Sequence, residues 1–312
     1  MDKLNILITT TSFQDTPGNH HKFLAEQDWD IDFLRGPLSE SELLPIIKKY
    51  DAIICGDDEY SKEVLMAGKN GKLKVISKYG VGLDRIDLKK ANELGIKVTN
   101  VPGINQVSVS EHVLALLFSF SKNILSQHQS VQNGIWRREI GFELQGKTIG
   151  IIGLGAVGKE VSKKSLAIGM RVMAFDIVKD KIFLDEHSDI KFVTDLDTIY
   201  EKCDIISLHL PHNNSSDKLI NDYVIKTKLK KQPIIINTSR GKLVEPKAII
   251  CGIKNKLIKG YLCDVLNEEP ITKKEILINV ENVIITPHVG SRTYENVEKQ
   301  GIYAIKNLKN SL

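Results

Sequence analysis

The chain is short of cysteine, of long apolar runs and of net charge, and each shortage closes off a class of protein. Only four cysteines occur in 312 residues: Cys55, Cys203, Cys251 and Cys263. None forms a Cys-x-x-Cys pair and no histidine cluster stands beside them, which argues against a disulfide framework and a zinc site. Three of the four lie in apolar surroundings and read as core thiols. No apolar stretch reaches the ~18 residues a membrane span requires. The start, "MDKLNILITT", lacks a signal-peptide cleavage pattern, so a cytoplasmic protein is expected. Lysine and arginine number 43 against 39 aspartates and glutamates, a net charge of only +4. The lysines are scattered in pairs such as Lys48-Lys49 and Lys230-Lys231, which suits solvated faces. Without a basic stripe or a reading motif, no nucleic-acid partner is expected. Tandem repeats and low-complexity linkers are absent too.

What is present is an alternation of strand-like and helical runs, long enough for two domains. The first half offers Asn5–Thr10, Ala52–Gly56, Leu73–Gly80 and Ile96–Val101 as strands. Several are continuous apolar runs, as in a parallel sheet buried on both faces. "SESELLPIIKKY" and "DLKKANELG" read as helices, the second capped by Asp87 and closed by Gly95. After "VPGIN" a single long helix is expected from Val107 to Gln132. Ser108 and Glu111 would form its capping box, and Val109, Val113, Leu116, Leu117, Phe120 and Ile124 an apolar stripe. Further strands are expected at Arg171–Asp176, Asp204–Leu210, Pro233–Ser239, Gly260–Val265 and Asn282–Val289. A last helix follows within "RTYENVEKQGIYAIKNLKN". The fold class is α/β.

The stretch "TIGIIGLGAVGKEV" carries the first chemistry. Gly153-x-Gly155-x-x-Gly158 follows a strand and opens a helix. The first glycine permits a tight bend and the second lets the backbone approach a pyrophosphate. The third allows the helix to pack closely on the strand, and the helix N-terminus draws the phosphate. The next strand ends at Asp176, 18 residues past Gly158, close to the ~20 at which an acid meets an adenosine ribose. Such an acid favours NAD over NADP, since it repels a 2′-phosphate. Lys179 and Lys181 are the nearest cations and read as exposed loop residues.

Hydride transfer to a 2-keto acid needs a cation for the carboxylate, a proton-exchanging group and a partner for that group. Strand ends supply Arg240 in "NTSRGKLV", Glu269 in "DVLNEEP" and His288 in "ITPHVGSR". Singly they fit a structural ion pair, a solvated acid and a satisfied histidine. As an ordered set, with "SKYGVGLDRIDL", "NVPGINQVSVSEH" and "LQGKTIGIIGLGAVG", they resemble the D-isomer-specific 2-hydroxyacid dehydrogenase family from Leu73 to Gly290. The resemblance implies two Rossmann-like or flavodoxin-like lobes with parallel sheets, the nucleotide domain inserted into the substrate domain. Residues 1–101 and 290–312 would form the substrate (catalytic) domain and 102–289 the NAD-binding domain, with the cleft between them. It makes His288 the acid/base, Glu269 its partner and Arg240 the carboxylate clamp. Cofactor contacts would come from Gly153, Gly155, Ala156, Val157, Gly158, Asp176, Leu210, Pro211, Thr238, Asp264, Val81 and Gly290, with Asp264 on the nicotinamide amide. Substrate contacts would come from Lys78, Tyr79, Gly80, Gly82 and Asn105 beside Arg240. His209, at a strand end, would be structural or cofactor-side, while His212 and the pair His20-His21 read as loop residues.

Within the family, "ISKYGVGLDRIDL" and "GIWRREIGFELQGKTIGIIGLG" are most similar to the phosphoglycerate dehydrogenase branch. Oxidation of 3-phosphoglycerate by NAD is therefore the first expectation. Reduction of hydroxypyruvate, glyoxylate or another small 2-keto acid is the second, and an NAD-sensing corepressor-like binding protein the third. Lys78 and Arg137 or Arg138 would meet the phosphate, opposed by Asp57 and Asp58. Glu245 and Pro246 depart from the family pattern and should alter a helix start. The chain stops at Leu312, so no C-terminal regulatory domain is expected. The partners implied are a small 2-hydroxy or 2-keto acid and a second copy in a homodimer; no metal is implied.

Overall fold

A computed structural model describes residues 3–312. The chain divides into two compact units, Met1–Asn105 with Arg292–Leu312, and Gln106–Ser291.

Unit 1 is built on β1 (Leu4–Ile8), β2 (Trp29–Phe33), β3 (Ala52–Cys55), β4 (Val75–Lys78) and β5 (Lys97–Thr99), in the order β2-β1-β3-β4-β5. Every pairing is parallel. All residues of β3 and β4 are buried, as continuous apolar runs predict for central strands. Strand β2 was not expected. Its "WDIDF" alternates aspartate with apolar residues, which suits a sheet edge with one wet face. The terminal helix, Tyr294–Lys309, packs back on this sheet through Val297, Ala304, Ile305 and Leu308. The Ser77 hydroxyl donates to the Ala304 carbonyl at 2.8 Å.

Two helical expectations are corrected here. "SESELLPIIKKY" is not one helix but a short helix, Glu40–Leu43, and a 3₁₀ turn, Ile47–Lys49. Pro45 lies between them and has no N–H for the ladder. His20 and His21 are not in a loop. They sit on the helix Asn19–Ala25, and His20 is fully buried against Phe13. Asp87 and Gly95 do bracket their helix: the Asp87 carboxylate accepts from the Lys90 amide, and Gly95 has φ +66°.

Unit 2 contains β6 (Thr148–Ile152), β7 (Arg171–Phe175), β8 (Ile190–Phe192), β9 (Ile205–Leu208), β10 (Ile234–Asn237), β11 (Gly260–Cys263) and β12 (Val283–Ile285). Their order is β12-β11-β10-β9-β6-β7-β8, again all parallel. One face is covered by Val113, Leu116 and Leu117 of the helix Gln106–Ser121, together with Val161. Ile199, Tyr200, Ile225 and Ile249 cover the other. The expected Val107–Gln132 helix is two helices, Gln106–Ser121 and Ile124–Gln132. Asn123 breaks it with φ +53°, a left-handed conformation asparagine tolerates better than most residues. The first helix begins at Gln106, so Ser108 is already inside it and is not the cap. Pro246 opens the helix Pro246–Lys254 at its first turn, where a missing N–H costs nothing. Cys55, Cys203 and Cys263 are buried and Cys251 is half-buried, all as free thiols.

Candidate active site

Because every strand of unit 2 runs the same way, all its carboxyl ends share one edge. The chain goes from β6 outward to β7 and β8, then returns to place β9 on the other side of β6. That reversal opens a crevice at the β6 and β9 ends, where open parallel sheets bind ligands. Gly153 has φ +100°, and a Cβ there would lie 2.4 Å from the His209 carbonyl oxygen. A Cβ on Gly158 would lie 2.0 Å from the Gly153 carbonyl oxygen, so the helix Ala156–Ala167 can start against the turn only with glycine. Around Gly155 the space is open, which is the cradle a pyrophosphate needs. Ala156 is exposed and Val157 half-buried at the same helix start.

Asp176 follows β7. Its carboxylate accepts from the Leu154 amide at 2.6 Å and the Val178 amide at 3.0 Å. A carboxylate offers about four acceptor positions, so a ribose diol can still bind. The next residue is Ile177, 92% exposed, rather than a cation. Lys179 and Lys181 are both exposed, with the Lys179 ammonium over the Phe192 ring. Beyond β9, Leu210 packs on the core and Pro211 is exposed. Thr238, at the end of β10, keeps a buried hydroxyl with no hydrogen-bond partner. The glycine turn, the acid and this orphaned hydroxyl fit a dinucleotide.

The other half of this edge carries Arg240, Glu269 and His288. Fully buried Asn237 organises the turn after β10: its Nδ2 donates to the Arg240 carbonyl at 2.8 Å, and its Oδ1 accepts from the Ser239 amide at 3.1 Å. Gly241 then lets the turn close on the loop after β11. A Cβ there would lie 2.1 Å from the Leu266 carbonyl. In that loop Glu269 Oε1 accepts from the Leu266 amide at 2.8 Å, while Oε2 lies 2.7 Å from His288 Nδ1. A carboxylate can only accept, so Nδ1 carries the proton. Arg240 is half-buried and donates to the Ser239 carbonyl at 2.7 Å. Strands β10, β11 and β12 are adjacent, and Arg240, Glu269 and His288 lie in the segments that follow them in turn.

Several other expected residues have different surroundings from those the sequence suggested. Both oxygens of Asp264, expected on the nicotinamide amide, accept protein donors: Oδ1 from Val289 N and Thr286 Oγ1, Oδ2 from Gly290 N. Burial opposes its charge, but hydrogen bonds from His112, Thr286 and the two amides outweigh it and hold the carboxyl below its usual range. His112 and Thr286 were not singled out from the sequence. His209 is half-buried with its Nδ1 shielded from solvent, and desolvation pulls its pKa down to about 3. Half-buried His212, in a loop, contacts Asp217 at 2.9 Å. In unit 1, Lys78 is buried, and its ammonium pairs with Asp57 at 2.6 Å and donates to the Gly56 carbonyl. Asp58 is not a second open carboxylate. It is fully buried, accepting from Thr9 Oγ1 and the Leu38 amide, and burial raises its pKa. The Tyr79 ring is core, with its hydroxyl on the Val297 carbonyl. Gly80 has φ +124° and Val81 is exposed. Gly82 and Asn105 are half-buried. Among the described residues, no group of three or more His, Cys, Asp or Glu is placed to hold a metal, and no helix is long and apolar enough to cross a membrane.

A parallel sheet with a glycine turn at its crevice, an acid at the neighbouring strand end and an imidazole–carboxylate pair farther along the same edge defines a nicotinamide-dependent dehydrogenase. The chain belongs to the D-isomer specific 2-hydroxyacid dehydrogenase family: residues 114–290 match the family's NAD binding domain. Its cofactor is NAD. It is 36% identical over 276 residues to a hydroxypyruvate reductase of Thermotoga maritima, covering 87% of this chain and 88% of that one. It is 35% identical to a D-3-phosphoglycerate dehydrogenase of Archaeoglobus fulgidus, matching 88% of this chain but only 51% of that longer protein. The crystal structure of the TT0316 protein from Thermus thermophilus superposes with a TM-score of 0.87 at 30% identity, covering 98% and 96% of the two chains.

Proposed function

We propose that the protein reduces a small, unphosphorylated 2-keto acid, hydroxypyruvate or glyoxylate, to the D-2-hydroxy acid. The observation that carries the chemistry is the 2.7 Å contact between His288 Nδ1 and Glu269 Oε2 at the edge of the NAD domain. Bound NADH supplies the hydride. Arg240 holds the substrate carboxylate with a planar guanidinium and stabilises negative charge on the carbonyl oxygen. His288 gives its Nε2 proton to that oxygen and takes it back in the oxidising direction. Glu269 fixes the tautomer and favours the imidazolium. Unit 1 is the substrate-binding domain in this reading, with the Lys78–Gly82 loop and Asn105 as its contacts.

The choice of an uncharged tail rests on Lys78. Its ammonium is matched by Asp57 and by the Gly56 carbonyl, so it offers a phosphate little uncompensated charge. This moves the substrate away from 3-phosphoglycerate, the first expectation from the sequence. A panel with NADH tests it: kcat/KM should be highest on hydroxypyruvate or glyoxylate and at least about tenfold lower on 3-phosphooxypyruvate. The reverse order would overturn the choice. Asp57→Asn should narrow the gap by releasing the Lys78 charge.

A further inference from the structure

The residues flanking His288 are gripped by a hydrogen-bond network. Asp264, 2% exposed, sits at its centre. Its Oδ1 accepts from the Val289 amide at 2.9 Å, and its Oδ2 from the Gly290 amide at 2.7 Å. The Thr286 hydroxyl also donates to Oδ1, at 2.5 Å. A hydroxyl has one proton; with it on Oδ1 rather than on the Cys263 carbonyl at 3.5 Å, Thr286 Oγ1 can only accept from its remaining neighbour. That neighbour is Nε2 of His112, 2.9 Å away. The same nitrogen is 3.4 Å from Asp264 Oδ1. Hydrogen bonds therefore run from His112 to Thr286 to Asp264, and two main-chain amides converge on the same carboxylate.

Thr286 precedes His288 by two residues, and Val289 and Gly290 follow it directly. The chain is thus held on both sides of the imidazole. It needs holding, because His288 itself has φ +54°, a left-handed conformation that residues with a Cβ adopt only at a cost. Close packing is part of the device: a Cβ on Gly290 would lie 3.0 Å from Asp264 Oδ2 and 3.4 Å from His112 Cδ2. Anchoring the helix Gln106–Ser121 does not require His112, since Val113, Leu116 and Leu117 of that helix already enter the core.

We propose that His112 is a positioning residue for His288: acting through Thr286 and Asp264, it fixes the backbone that aims the imidazole. The inference rests on the acid/base reading of His288. Glu269 sets the ring from the side-chain end, and the His112 network sets it from the main-chain end. A ring displaced by a fraction of an ångström still binds neither substrate nor cofactor differently, but it transfers its proton less well.

The test measures kcat, KM and NADH affinity, the last by fluorescence quenching, for His112→Ala, His112→Gln, His112→Leu, Thr286→Val and the double variant H112A/T286V, with His288→Ala alongside. The substrate is whichever 2-keto acid the panel ranks first. H112A and T286V should each lower kcat about 10- to 100-fold while KM and the NADH Kd stay within about twofold. H112Q, whose amide can donate to Thr286 Oγ1, should recover most of the loss, and H112L should not. The double variant should be no worse than the poorer single one, because both cut one chain. Wild-type turnover in T286V and H112L, rescue by H112L rather than H112Q, or multiplicative losses in the double variant would overturn the proposal. H112Q and T286V carry the test should H112A fold poorly. An active H288A would remove the acid/base reading and this inference together; an inactive H288A beside unimpaired His112 and Thr286 variants would remove this inference alone.

Discussion

His209 stands one residue beyond β9 with its Nδ1 buried and unpartnered and its Nε2 on the Ser207 hydroxyl at 2.9 Å. Burial pulls its pKa down to about 3, so the folded protein keeps it neutral where an unfolded chain would charge it. The unfolded state then binds the extra proton, and stability falls as pH drops from about 6.5 toward about 3. The loss from this one group is about 2 kcal/mol by pH 5. Urea unfolding at pH 7.5 and pH 5 should show that decline, and His209→Gln should flatten it; an unchanged slope would mean that the ring is wetter than its surroundings imply. Buried His20, whose pKa is also lowered by burial, adds to the decline with the same sign. Asp176 and His288 carry separable expectations. Asp176→Ala removes the proposed ribose acceptor and frees the Leu154 amide, so NADH should bind about 10- to 100-fold more weakly and the preference over NADPH should shrink. His288→Ala should lower kcat by about 10²- to 10⁴-fold with NADH binding retained. Equal use of the two cofactors by the unaltered enzyme would defeat the first expectation, and undiminished turnover the second.

At the scale of elements, the β6 turn and the helix after it form one steric unit. Gly158→Ala would place a methyl 2.0 Å from the Gly153 carbonyl oxygen, and each is bonded directly to backbone that cannot rotate away. The helix must lift from the strand, at a cost of about 1–3 kcal/mol, and its N-terminus then moves from the phosphate position. Thermal unfolding should fall by several degrees and NADH affinity should drop; normal binding would show that the turn tolerates the shift. This unit was legible in the sequence because its requirements are local: no other residue supplies the close approach at Gly158. The central strands were legible for a similar reason, since Ala52–Cys55 and Ile234–Asn237 are apolar throughout. Strand β2 escaped notice because its aspartates mask an edge strand, and β8 because three residues carry too little pattern. Periodicity ran straight through Asn123, whose backbone turn has no hydrophobic signature. In the site, strand-end position marked Arg240, Glu269 and His288 as candidates, and family motifs assigned their roles. Lys78 beside Asp57 and the Asp264 network depend on which loops meet in three dimensions, and the family resemblance pointed to other partners for both.

At the scale of the whole molecule, one surface of unit 2 carries exposed apolar side chains. The helix Ile124–Gln132 buries none of its residues, and nine residues are too few for a helix to stand alone in water. Ile124, Leu125 and Val131 are about half exposed, and the arm that follows adds Ile135, Trp136 at 77% and Ile140 at 96%. Helix and arm are pinned together: Asn123 Nδ2 donates to the Ile140 carbonyl, the Ser126 hydroxyl to Glu139, and the Phe142 amide to the Ser121 carbonyl. Exposed apolar side chains on a pre-formed support are what a docking face would require. The same patch carries Arg137 and Arg138 beside Glu139 and Glu143, both signs together, which suits an isologous contact in which one patch meets its own copy. A second copy of this chain is therefore the expected occupant. Sedimentation should give twice the 35.0 kDa chain mass, and the double variant Trp136→Glu with Ile140→Glu should give the single mass while NADH still binds. A wild-type protein that sediments as one chain at micromolar concentration would leave that face for another partner, and a charged variant that stays dimeric would place the contact elsewhere.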